Sequence, residues 1–107
     1  MTAFRFNPRP VTWVTVKVNA PVEDGIEPQN FRAKVLILPE AERQAIADDP
    51  REALRQVWLG WEGIEDIDGN PVPFSKKARE QLMGYSYITL GVAEAYRRAT
   101  AGIETKN

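Results

Sequence analysis

Two stretches near the start of the chain alternate or cluster their apolar positions in the manner of strands. Val11 to Val18 reads V-T-W-V-T-V-K-V and Phe31 to Leu38 reads F-R-A-K-V-L-I-L. Between them stands Asp24-Gly25, a favoured two-residue hairpin turn. With Asp24 and Gly25 as the loop, Val18 faces Phe31, Val16 faces Ala33, Val14 faces Val35 and Thr12 faces Ile37. One face of the ribbon is then almost wholly apolar, and a slip of one residue would scatter that set over both faces. The same register sets Pro21 opposite Pro28. Neither can donate a ladder hydrogen bond, which predicts a loosely paired tip. The second face carries Thr15, Lys17, Arg32 and Lys34, with Lys17 across from Arg32. It also holds an apolar strip, Trp13 with Leu36 and Val11 with Leu38, that needs cover from a helix or a partner.

The rest of the pattern is helical. Pro39 suits a first helical position, and Glu40 and Glu42 suit the turn after it, which predicts a short helix over Pro39 to Ala47. Asp49-Pro50-Arg51-Glu52 resembles a capping box. Leu54, Val57, Trp58 and Trp61 follow at helical spacing, and Gly60 and Gly63 end that helix near Leu59. Glu62 to Pro73 is a connector rich in the residues of turns. Ser75 caps a helix from Lys76 to Met83 that Gly84 stops. Ser86 caps a last helix, with Ile88, Val92, Ala95, Tyr96 and Ala99 along one face and Gly102 at its end. Val57, Trp58 and Tyr96 are expected to be mostly buried, with the last helix against the Asp49–Leu59 helix or the hairpin.

These elements define an α+β fold: an N-terminal antiparallel β-hairpin packed against about four α-helices. The 107 residues, 43% hydrophobic and 27% charged, suit a single domain over 1–107 with flexible ends at 1–10 and 103–107. The 14 basic and 15 acidic residues give a net charge of −1, without the electrostatic footprint of a nucleic-acid binder. No apolar run approaches the ~20 residues that span a bilayer, and the N-terminus lacks a signal core. A cytoplasmic protein without membrane contact is expected.

Candidate chemistry is sparse. Without cysteine or histidine there is no thiolate, no disulfide, and neither the usual general base nor the usual transition-metal ligand. Asp66, Asp68 and Asn70 have the spacing that opens a calcium loop. Gly69 comes too early for that loop, however, and Lys77 stands where a bidentate glutamate belongs. The acidic cluster therefore reads as a solvated turn, with no metal, cofactor or catalytic residue expected. Lys76, Lys77 and Arg79 read as a solvated basic face. Trp58 reads as core; Trp13 and Trp61 read either as core or as contact surface, since tryptophan is enriched in interface hot spots. Val11, Trp13, Leu36, Leu38 and Trp61 are the candidate partner-binding residues.

The segment V-W-L-G-W-E-G-I-E-D-I-D-G-N-P-V-P-F-S, from Val57 to Ser75, carries a family likeness. Upstream stand the D-G hairpin and a charged helix, and downstream a helix and A-E-A-Y-R-R-A-T-A-G. Nearly the whole chain resembles the tail assembly chaperones of long-tailed bacteriophages and prophages. The likeness is strongest in L-G-W-E-G-I and D-x-D-G-x-P-V-P-F-S. It implies a protein that coats the tape measure protein, keeps its helical apolar segments soluble, helps bring major tail tube subunits to it, and is absent from the finished particle. It also implies the short form of a pair whose longer member arises by ribosomal frameshifting, and it supplies no catalytic residues. Self-association into a homo-oligomer through the apolar strip is a further expectation. The rival readings are a structural tail completion or connector protein, a small regulatory or toxin-neutralising protein, and a carboxylate enzyme.

Overall fold

The computed structural model describes residues 2–103. The expected flexible tail thus lies outside the described residues apart from Ile103. The elements run β1 (Val11–Val22), β2 (Gly25–Leu36), α1 (Glu40–Ala45), α2 (Pro50–Val57), β3 (Trp58–Glu62), α3 (Lys76–Met83) and α4 (Ser86–Thr100). They form the expected α+β fold, with the hairpin packed against helices. The sheet, however, has three antiparallel strands in the order β1-β2-β3.

The hairpin register differs by two residues from the one that an Asp24-Gly25 turn dictates. Val22 pairs with Gly25, Val16 with Phe31, Val14 with Ala33 and Val11 with Leu36. The loop is therefore Glu23-Asp24. The reason lies in the backbone. A primed turn centred on Asp24-Gly25 needs positive φ at Asp24, yet among the described residues only glycines have positive φ, Gly25 at 136° being one. A shift of two preserves side-chain parity, so the expected core face survives: Val14, Val16, Val18, Phe31, Ala33 and Val35 are all buried. Pairing also runs to the tip, because Pro21 meets Ile26 and Pro28 meets Asn19, and no two prolines oppose each other. Every residue from Pro21 to Asn30 is exposed, so this end of the hairpin projects beyond the core.

β3 replaces the expected end of the second helix. Asp49 caps α2 by accepting the Glu52 N–H at 3.1 Å, but the helix stops at Val57. Trp58 then pairs with Val35 and Gly60 with Lys34, leaving Leu59 as a bulge residue. In a regular strand two residues three apart face opposite sides. The bulge adds one residue and returns Trp58 and Trp61 to the same, core-facing side. An aromatic row results: Phe31 stacks on Trp58 at 6.0 Å, Trp58 meets Trp61 at 5.4 Å, and Trp61 meets Phe74 edge-on at 4.8 Å. The two indoles satisfy their N–H groups, Trp58 on the Gly60 carbonyl and Trp61 on the Val72 carbonyl, as buried tryptophan requires.

The connector after β3 is a folded turn. Asp66 Oδ1 accepts the backbone N–H groups of Asp68 and Asn70, at 2.9 and 3.0 Å, and an isolated bridge joins Glu65 to Pro71. Ser75 Oγ accepts the Ala78 N–H and starts α3 where expected. Ser86 is the first residue of α4 and not its cap; that position falls on Tyr85, without a side-chain bond. Ile88, Val92 and Ala95 are buried as α4 packs along β1.

One expected surface residue is internal. Arg79 keeps only 7% of its surface and donates from one guanidinium nitrogen to the carbonyls of Arg55 and Trp58, at 3.0 and 2.8 Å. Its charge thus sits at the C-terminal end of α2, where the helix dipole favours a cation. Phe74 covers it at 5.9 Å. Lys76 and Lys77 are exposed as expected.

Candidate functional site

The outer face of the sheet gathers part of the expected strip. Val11 lies directly opposite Leu36, and Trp13 opposite Lys34, which makes Trp13 and Leu36 diagonal neighbours on one side. Trp13 is 39% exposed, Val11 is exposed, and Leu36 is half-buried. The Arg32 guanidinium stands 5.6 Å from the Trp13 ring and pairs with Glu62 at 3.4 Å. Two expected members are elsewhere. Leu38 follows the end of β2 and is buried at 4%, and Trp61 is buried at 7% in the aromatic row. Neither belongs to the outer-face strip. The two-residue register shift removes Leu38 from β2, and the β3 bulge turns Trp61 inward.

A second surface is a groove of ≈ 540 Å³ between two helical walls. Its floor is built from Leu38, Leu54, Val57 and Met83, all buried core residues. One wall comes from α1, α2 and the link between them: Arg43, Ile46, Ala47, Pro50, Arg51 and Ala53. The other is the α4 face that carries Thr89, Leu90, Ala93, Tyr96 and Arg97. α2 and α4 make little direct contact, because α4 rests on β1 and α3. The gap between them stays open, and Leu90 beside it is largely exposed.

Polar groups tie the groove to the sheet. The Tyr96 hydroxyl donates to the Leu36 carbonyl at 2.9 Å and accepts the Leu38 N–H at 3.0 Å. Burial pushes its pKa up, opposed by the Leu38 hydrogen bond and the Arg43 charge. Arg55 of α2 grips Glu80 of α3 with two 2.9 Å hydrogen bonds. Hydrogen bonding from Arg55 holds the Glu80 carboxyl below its usual range, and Arg97 does the same to Glu94. Both carboxylates are thereby kept ionised, the wrong direction for a general acid at neutral pH. Among the described residues, no group of three or more acidic side chains could hold a metal ion, and no helix is long and apolar enough to cross a membrane.

Sequence reasoning missed the groove. Its signal was present in α4 as a second stripe, Leu90, Ala93 and Arg97, off the buried face. In β-strand and helix patterns alike, one exposed leucine carries little information.

The L-G-W-E-G-I segment forms β3 and the residues after it, and D-x-D-G-x-P-V-P-F-S forms the folded turn and the α3 cap. No protein-family model, curated protein or solved structure matches the chain.

Proposed function

We propose that this chain is a phage tail assembly chaperone, which binds the tape measure protein in the host bacterial cytoplasm and keeps it soluble until the tail tube forms around it. The observation that carries this reading is the open apolar groove between α2 and α4. A mostly apolar concavity rimmed by a few polar groups is the usual form of a binding site, and two helical walls suit the helix-in-groove mode of recognition. The outer-face strip of Val11, Trp13 and Leu36 is a second contact surface of the same kind. The sequence likeness over Val57 to Ser75 supplies the biological setting. The role is one of binding, and it draws on neither of the residue types the chain lacks, histidine and cysteine.

Each contact surface is small, and association must first overcome lost translational and side-chain freedom. Several copies therefore line one long partner and act by multivalency, with the major tail tube protein as a further partner and self-association through the same surfaces. The test is co-expression with the tape measure protein of the same phage. The partner is expected in the soluble fraction with this chain and in the pellet without it, and the chain is expected to be missing from purified particles. A tape measure protein that stays equally insoluble in both cultures, or a chain found in stoichiometric amounts in the particle, overturns the reading. The second result would support a tail completion or connector protein instead.

A further inference from the structure

The charges around the groove are all of one sign. Arg43, Arg51 and Arg97 line it, and no carboxylate does. Arg97 is engaged by Glu94 at 2.7 Å. Arg43 and Arg51 make no ion pair among the described residues. The α4 wall runs from Ser86 to Arg97, roughly 17 Å at the α-helical rise. That length suits a helical segment lying along the wall better than a compact ligand.

We infer that the groove takes an amphipathic helix whose apolar stripe is flanked by glutamate or aspartate, with Arg43 and Arg51 selecting for the acidic flank. The inference rests on the chaperone reading and narrows it, since it specifies which helices of a long partner are bound. The apolar stripe fills the floor over Leu54 and Met83. The flanking carboxylates pair with the two arginines, neither of which makes an ion pair of its own among the described residues. Helices with lysine flanks are rejected by like charge, and such repulsion gives specificity as much as attraction does.

The probe is a pair of fluorescein-labelled amphipathic helical peptides, identical in their leucine stripe, one with glutamate flanks and one with lysine flanks. Anisotropy titration of the full chain is expected to show the glutamate peptide bound about tenfold more tightly or better, with the gap narrowing as salt rises. Arg43→Glu combined with Arg51→Glu should invert the preference. Ala93→Trp, at an exposed groove position, should abolish binding of both peptides while leaving the circular dichroism spectrum unchanged. Equal affinity for the two peptides overturns the inference. So does glutamate-peptide binding that survives Ala93→Trp, which would place it on the outer sheet face, or displacement of both peptides alike by dodecanoate, which would indicate a fatty-acid site. Co-expression separates the two readings. If the wild-type chain solubilises the tape measure protein and Ala93→Trp does so equally well, the groove assignment fails and the chaperone reading stands. If the peptides behave as expected but the tape measure protein is not rescued, the chaperone reading fails and the groove specificity stands.

Discussion

Gly91 of α4 lies so close to Lys17 of β1 that a β-carbon at Gly91 would stand 2.6 Å from the Lys17 carbonyl oxygen and 2.9 Å from a Val18 methyl. In an open helix, glycine to alanine gains about 1 kcal/mol. Here the obstacle is backbone, so the helix must lift off the strand. Gly91→Ala is therefore expected to destabilise by about 1–2 kcal/mol net, seen as a lower urea midpoint at unchanged slope. A raised midpoint would mean that α4 is free to move away from β1.

Trp58 is fully buried at the centre of the aromatic row. Trp58→Ala should cost about 3–5 kcal/mol in denaturant melts. A loss below about 1 kcal/mol would contradict its placement between Phe31 and Trp61.

Tyr96→Phe removes the bridge between α4 and the end of β2, leaving the Leu38 N–H without its acceptor, and should cost about 1–2 kcal/mol at neutral pH. Its pH dependence has a definite sign. The folded pKa is raised by burial, so the stabilisation is full below the ordinary tyrosine value of about 10 and is lost as pH rises through the folded value. The gap between wild type and Tyr96→Phe should close on the alkaline side. Melting temperatures of both proteins across that range provide the check.

Glu80 gives the opposite limb. Its folded pKa is lowered by the Arg55 hydrogen bonds, so the pair's contribution is present above the ordinary carboxylate range and lost as pH falls through the folded value. Glu80→Gln should be less stable than wild type near neutrality and indistinguishable from it in acid. Both side chains are more than a third exposed, so high salt should also shrink the difference.

The sequence made some of these features readable and hid others for physical reasons. α3 was legible to the residue because Ser75 caps it and Gly84 stops it, both local events. The core face of the hairpin was legible because parity has a period of two, which also explains how the register could be wrong by two with the same residues buried. β3 was hidden by its own bulge. Leu54, Val57, Trp58 and Trp61 have the spacing of a helical stripe, and a bulged strand reproduces the three-residue step from Trp58 to Trp61 on one face. Arg79 was misread because a basic residue in a polar run resembles solvated surface; its role depends on carbonyls more than twenty positions earlier. At the candidate site, Val11, Trp13 and Leu36 were legible as a surface. The groove arises from α2 and α4 failing to meet, a property of neither segment alone.

The arginine beneath α2 also ties the end of that helix to the C-terminal half of the chain. The Arg55 and Trp58 carbonyls, where α2 gives way to β3, are both met by the Arg79 guanidinium of α3. Without α3 those two carbonyls, one of them on a fully buried residue, would lose that donor. The turn from helix to strand therefore leans on a residue more than twenty positions later, and a cut in the chain between β3 and α3 would loosen the junction that keeps both tryptophans inside.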